Sequence, residues 1–197
     1  ILVFASTGKV VYALQAGDGK VLWKYQTKSP VVASGAIHNG IVYLIDRGGH
    51  MAALDIKSGQ DRWAGIVEIP GPFTASPSVK EDLVVVASQR GIVYGLDART
   101  GGIKWENSFN SSSTQFEAIN SSPVMTKDKV IVGTDGGSLY ILEQSDGRNI
   151  WHFRASSWIW SSPAVSHGYV YITSNDGHVY SFSSKKPESS PGIIKML

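Results

Sequence analysis

The chain has 197 residues, 42% hydrophobic and 17% charged, with 21 glycines and no cysteine. This length buries a sizeable core, and the lack of cysteine excludes disulfides and thiolate metal sites. A net charge of +2, with no run of Lys or Arg along one element, argues against a nucleic-acid partner, and no apolar stretch reaches membrane-spanning length.

In chain order, Val3-Phe4 and Tyr12-Ala-Leu14 are short apolar runs, followed by a turn at Gly19 and then Trp23. A longer version of this succession returns. Ser34 opens it, Gly40-Ile-Val-Tyr-Leu-Ile45 alternates, Arg47-Gly-Gly-His50 turns, and Leu54, Gly59 and Trp63 follow. The third copy runs from Ser76-Pro77 through Val85, Gln89-Arg-Gly91, Leu96 and Gly101 to Trp105. The fourth runs from Ser122-Pro123 through Ile131, Asp135-Gly-Gly137, Leu142 and Gly147 to Trp151. A fifth begins at Ser162-Pro163 and passes Tyr171, Asn175-Asp-Gly177 and Phe182. Each Leu precedes its Trp by nine residues and each motif Gly by four; Ser to Trp is twenty-nine in every complete copy.

A fixed period near 40 marks an array of one supersecondary unit. The β-branched and aromatic runs read as half-buried strands. Gly, Asn and Asp between them suit tight turns with positive φ. Each unit is therefore four short antiparallel strands with the Ser-Pro segment first and the Trp at the end of the fourth, and nothing shows sustained helical periodicity. The fold class is all-β, a β-propeller whose innermost strands line a channel. Trp23, Trp63, Trp105 and Trp151, with Gly19, Gly59, Gly101 and Gly147, are the expected docking residues of the seams between blades. At about 150–250 Å² per ring and ~25 cal/mol/Å², each Trp contributes on the order of 4–6 kcal/mol before entropy is subtracted.

The segments Gly95-Leu-Asp97-Ala-Arg-Thr100-Gly101-Gly-Ile-Lys-Trp105 and Ala53-Leu-Asp55-Ile-Lys-Ser58-Gly59-Gln-Asp-Arg-Trp63 resemble the tryptophan-docking motif of quinoprotein-type propellers. That family holds pyrroloquinoline-quinone dehydrogenases and non-enzymatic relatives. The resemblance covers residues 1–184; Gln15 and Glu143 replace the motif Asp in two copies. It implies the propeller fold, and it implies a periplasmic or otherwise extracytoplasmic location if the chain follows bacterial members. The same repeat serves enzymes, assembly factors and sensors, so it does not choose among them.

The expected blades are 1–28, 29–68, 69–115, 116–156 and 157–184, with 185–197 a linker and tail. The first unit lacks a Ser-Pro strand, and the last has Pro191 where its Trp belongs. Strand counts of three, four, four, four and three predict a five-blade arc of a larger ring, with the first and last blades out of contact. The alternative is a small ring closed by pairing of residues 1–4 with 179–182.

Because Ser to Trp is rigid, length varies only between one Trp and the next Ser: 11, 13, 17 and 11 residues. These connectors share one face with the Gly-rich turns, and loops on a rigid scaffold are where binding is expected. The candidate interaction residues there are Phe109 and Phe116 in the longest connector, Trp158 and Trp160 near the channel mouth, and Arg47 and Arg90 beside the turns. A solvated insertion is the plainer reading of the 106–120 loop, and solvated charge that of the two arginines. Trp158 and Trp160 lie outside the docking register. His50 and His178 correspond in register but sit three blades apart, which argues against a shared metal.

Asp55 and Asp97 read as turn formers. No Ser/His/Asp set, paired carboxylates or phosphate-cradling loop stands out, and no catalytic residue is assigned. The expected function is a non-catalytic scaffold without cofactor, resembling the assembly-factor relatives of the β-barrel assembly machinery. A protein partner or small ligand would meet its loop face. Two alternatives remain: part of a dehydrogenase using pyrroloquinoline quinone with calcium, and a sensor propeller attached to another catalytic domain such as an adenylate-forming enzyme.

Overall fold

A computed structural model describes residues 1–109, 117–183 and 194–195. Within them lie five antiparallel sheets and no helix. The first sheet is β1 (Leu2–Ala5), β2 (Val10–Leu14) and β3 (Val21–Gln26). The second is β4 (Ala36–His38), β5 (Ile41–Ile45), β6 (His50–Asp55) and β7 (Val67–Glu68). The third is β8 (Ser78–Lys80), β9 (Leu83–Ala87), β10 (Ile92–Asp97) and β11 (Ile103–Ser108). The fourth is β12 (Val124–Met125), β13 (Lys129–Gly133), β14 (Ser138–Glu143) and β15 (Asn149–Arg154). The fifth is β16 (Ala164–Ser166), β17 (Tyr169–Thr173), β18 (His178–Ser183) and β19 (Ile194–Lys195).

In every sheet, strands neighbour one another in chain order. The short first strands β4, β8 and β12 lie side by side, so they form the inner edge of the arc. The sheets are the blades of an open β-propeller arc. Among the described residues β1 pairs with β2 alone, so the closed-ring alternative is not what forms.

In the three middle blades the second strands β5, β9 and β13 are not half-buried, as expected, but buried on both sides, whereas β1 and β17 in the outer blades stay half-exposed. All five residues of β9 are buried. The cause is a blade on either side, with alternation deciding which neighbour a side chain meets. Val84 and Val86 pack toward the second blade, with Tyr43, Met51 and Trp63. Val85 and Ala87 pack toward the fourth, with Val130, Val132 and Leu142. The first-to-second and fourth-to-fifth seams hold equivalent clusters. The molecule thus has a core at every seam, and each seam joins only two blades.

Two strand-level expectations change. The fifth blade has four strands, because β19 pairs with β18 through His178↔Lys195 and Val179↔Ile194. Residues 194–195 therefore belong to the sheet rather than to a tail; the expected linker, 185–191, lies outside the described residues. The fourth strand also does not end at its Trp. β3, β11 and β15 run three residues past it, after a bulge opposite Leu14, Leu96 and Leu142. In the second blade Trp63 precedes the short β7 altogether.

Candidate functional site

Three tryptophans are fully used by the seams. The indole N–H of Trp23 donates to the Ile56 carbonyl at 2.9 Å, that of Trp63 to Ala98 at 3.0 Å, and that of Trp105 to Gln144 at 3.0 Å. Each ring lies on the motif glycine of the next blade. A Cβ on Gly59 would stand 2.7 Å from the Trp23 ring, and Gly101 and Gly147 meet Trp63 and Trp105 as closely. These glycines also have φ of 70° to 79°, so turn geometry and ring contact both require glycine. Gly19 shares the φ of 73° but meets no described atom within 4 Å. Among the described residues Gly19 serves the turn alone.

Trp151 also departs from expectation. It is 40% exposed, with its ring edge-on to Phe182 at 5.2 Å. The register positions for its acceptor and its glycine are 184 and 187, which lie outside the described residues, and 187 is proline.

The repeated serines bind the inner edge. The N–H of Ser34 donates to the Ser76 hydroxyl, that of Ser76 to Ser122, and that of Ser122 to Ser162, each at 3.0 Å. The sequence showed this signal as an invariant spacing, but its meaning needed the third dimension.

The connectors form the loop face, and they are stapled on both sides. The N–H groups of Arg47, Gln89, Asp135 and Asn175 donate back to the carbonyls of Pro30, Pro72, Ala118 and Trp158 in the preceding connectors at 2.8–2.9 Å. One residue on, Val31, Phe73, Ile119 and Ile159 are buried. The residue after that is Val32, Thr74, Asn120 or Trp160. Trp158 and Trp160 are therefore out of register with the docking tryptophans but in register with the connectors. In an extended segment, residues flanking a buried one point the same way. Trp158 and Trp160 are 49% and 50% exposed, with rings stacked at 4.9 Å and 23°.

Beside them runs a polar chain that sequence reasoning missed. The Asn120 side-chain oxygen accepts from the Thr74 hydroxyl at 2.7 Å and the Gln89 amide at 2.8 Å, while its amide donates to Asp135 at 2.8 Å. The other Asp135 oxygen, Oδ1, is buried without a partner. Thr74 and Asn120 are equivalent connector positions on successive blades, which no linear motif reveals.

The other candidates separate. Arg47 and Arg90 are exposed on this face, and the Arg90 stem passes the connector at Gly71. Phe109 is not a surface residue: it is buried and stacks on Tyr140 at 3.9 Å and 3°, because its strand continues into the seam. Phe116 lies outside the described residues.

Each histidine meets a turn carboxylate of its own blade rather than a metal partner. His50 Nδ1 lies 2.9 Å from buried Asp46, and His178 Nδ1 lies 3.1 Å from Asp176. Burial works to raise the Asp176 pKa. Hydrogen bonds from the Tyr180 hydroxyl, the His178 and Ser156 N–H groups and the His178 ring outweigh it and hold the carboxyl at about 2.

Calcium takes six to eight oxygen ligands. Among the described residues the buried Asp135 Oδ1 has no partner, and the Asn120 oxygen already accepts two hydrogen bonds. The described residues hold no group of three or more His, Asp or Glu side chains placed to bind a metal. They do not fit a calcium–quinone site.

Comparison with known proteins agrees with this geometry. The outer membrane protein assembly factor BamB of Moranella endobia is 24% identical over 189 residues, covering 90% of this chain and 46% of that protein. The chain spans about half the length of the curated relatives it matches. The crystal structure of BamB from Moraxella catarrhalis superposes with a TM-score of 0.80 at 22% identity, over 92% of this chain and 57% of that one. The quinohemoprotein alcohol dehydrogenase ADHIIG from Pseudomonas putida HK5 superposes at 0.70 with 18% identity, over 92% and 39%, a likeness of fold alone. A family model described as outer membrane protein assembly factor BamB matches residues 1–130 and 115–188, and the chain belongs to that family.

Proposed function

We propose that this chain is part of a non-catalytic propeller scaffold that binds a protein partner through its loop face and takes part in outer-membrane protein assembly in the periplasm. The observation that carries the reading is the contrast among its tryptophans. Trp23, Trp63 and Trp105 are spent on seams, whereas Trp158 and Trp160 stand exposed at the channel mouth on a connector held from both sides. Exposed Trp on a rigid frame is the composition of a binding hot spot. Arg47 and Arg90 lie exposed on the same face. Family membership supports the assembly role. No helix among the described residues is long and apolar enough to cross a membrane.

The test is binding of the chain to purified β-barrel assembly machinery lacking its own propeller subunit. Binding is expected, and Trp158→Ala with Trp160→Ala together weaken it at least tenfold while the melting temperature stays nearly constant. Saturable binding of pyrroloquinoline quinone with calcium, with dye reduction on alcohols or sugars, would overturn the scaffold reading.

A further inference from the structure

We propose that Asn39 is a site of spontaneous covalent modification, deamidating through a cyclic imide to aspartate and isoaspartate, and that the isoaspartate form loosens the seam between the first and second blades. The site is independent of the loop-face reading, because β5 runs between this turn and the loop face.

Asn39 and Gly40 make the tight hairpin between β4 and β5. Asn-Gly suits such a turn because both residues take positive φ, here 48° and 75°. The pair also suits deamidation. Asparagine is a thermolabile residue, and a glycine after it puts no side chain in the way of ring closure. Both residues are exposed, and a Cβ on Gly40 would meet nothing within 4 Å. The Gly40 nitrogen is the nucleophile, and its N–H has no acceptor among the described residues. The Asn39 amide is the leaving group, and its one contact, with the His38 ring at 3.0 Å, is itself exposed. The Gly40 nitrogen gives up its proton and bonds to the Asn39 Cγ; the Cγ–Nδ2 bond breaks and ammonia leaves. Water then opens the imide at either carbonyl. One opening leaves an aspartate on an unchanged main chain. The other sends the main chain through Cβ and Cγ and lengthens it by a methylene.

The other described asparagines lack this combination. Asn39-Gly40 is the one Asn-Gly pair in the sequence. The Asn107 amide donates to the Gly147 carbonyl at 2.6 Å, and that of Asn120 to Asp135 at 2.8 Å. Asn149 lies in β15 before the branched Ile150. Asn175 precedes Asp176, whose N–H donates to the Ser174 hydroxyl at 3.3 Å. The corresponding turns of the third and fifth blades, Glu81-Asp82 and His167-Gly168, carry no amide side chain.

The turn also holds a docking socket. The Gly40 carbonyl accepts the Ile56 N–H at 2.9 Å, and the Ile56 carbonyl accepts the Trp23 indole at 2.9 Å. The next two seams repeat the relay: Asp82 holds Ala98, which receives Trp63, and Asp128 holds Gln144, which receives Trp105. A methylene inserted between residues 39 and 40 moves the Gly40 carbonyl off the Ile56 N–H. The first-to-second socket then loses its anchor while the other two keep theirs.

The experiment is incubation of the full chain at physiological temperature and mildly alkaline pH. Peptide mapping by mass spectrometry follows each asparagine, and NMR follows the indole N–H groups. Asn39 is expected to exchange its amide for an acid at least tenfold faster than any other described asparagine, with isoaspartate as the larger product. In the aged chain the Trp23 indole proton exchanges faster, and those of Trp63 and Trp105 are unchanged. Asn39→Gln keeps the amide but closes a ring far more slowly, so it holds both its mass and its Trp23 protection. Freshly prepared Asn39→Asp carries the charge without the methylene and keeps Trp23 protected. Melting curves confirm that each variant is folded. An intact Asn39 at a time when a free peptide of residues 36–43 has converted overturns the inference, as does earlier conversion of another described asparagine. Conversion to isoaspartate with Trp23 protection unchanged, or loss of that protection in fresh Asn39→Asp, overturns the coupling to the seam.

Discussion

The second-to-third seam and the fourth-to-fifth connector use the same residue type for opposite ends. Trp63 is buried, its N–H is bonded to Ala98, and its ring lies on Gly101. Trp158 is half exposed, and its one ring neighbour among the described residues is Trp160. What separates them is what the next blade offers. A motif glycine with positive φ and a carbonyl two residues after the repeated Leu make a socket for one indole. The connector provides no such socket; it turns one side chain inward and leaves its two neighbours outside. A tryptophan's role in this fold is thus set by its place in the repeat, not by its identity.

The largest expected effect that breaks this contrast comes from Trp105→Ala. It empties a socket and leaves the Gln144 carbonyl without its donor, costing about 3–5 kcal/mol. Chemical denaturation measures this, and an unchanged midpoint would show that the seam does not depend on the ring. A smaller and sharper test compares two glycines with nearly equal φ. Gly101→Ala carries the strain of the left-handed backbone and also drives a Cβ into the Trp63 ring. Gly19→Ala carries the strain alone, about 1–2 kcal/mol. The Gly101 variant is expected to lose the more stability by at least ~1 kcal/mol, and equal losses would remove the socket from the account.

The smallest effect concerns pH. The Asp176 carboxyl in the folded chain sits at about 2, below its ordinary value of 3.8, so its hydrogen bonds stabilise the fold above that ordinary value and are lost as pH falls toward 2. Asp176→Asn is expected to be less stable than the parent at neutral pH, with the gap closing between about pH 4 and pH 2. Melting curves across this range decide it, and a gap constant with pH would remove the carboxylate from the stability of the fifth blade.

The repeat made the fold legible because spacing is a linear property. Leu54 to Trp63 and Ser76 to Trp105 can be measured without knowing what the residues touch. The seams were legible for the same reason, since one aromatic at one place in each unit has few other uses. The reason for the motif glycine was only half legible: positive φ follows from the turn, but the ring on Gly101 comes from a residue thirty-eight positions earlier. Phe109 misled because it stands at the start of the longest connector, where sequence gives no sign that β11 carries its line into the seam against Tyr140. Asn120 was invisible as a node because its partners come from one other connector, Thr74, and two turns, Gln89 and Asp135. Trp158 and Trp160 stood out by failing the docking register; that their rings stack and face outward follows from burial of Ile159, which needed the packed blades to see.

The central claim is that the chain holds two kinds of tryptophan, socketed and open. Hydrogen exchange of the indole N–H groups, followed by NMR with each Trp assigned, measures the distinction directly. The Trp23, Trp63 and Trp105 protons are expected to exchange only when a seam opens, and those of Trp158 and Trp160 at close to the rate of a free indole. Protection of Trp158 and Trp160 comparable to that of Trp63 in the isolated chain would contradict the account and place the pair in the packed structure.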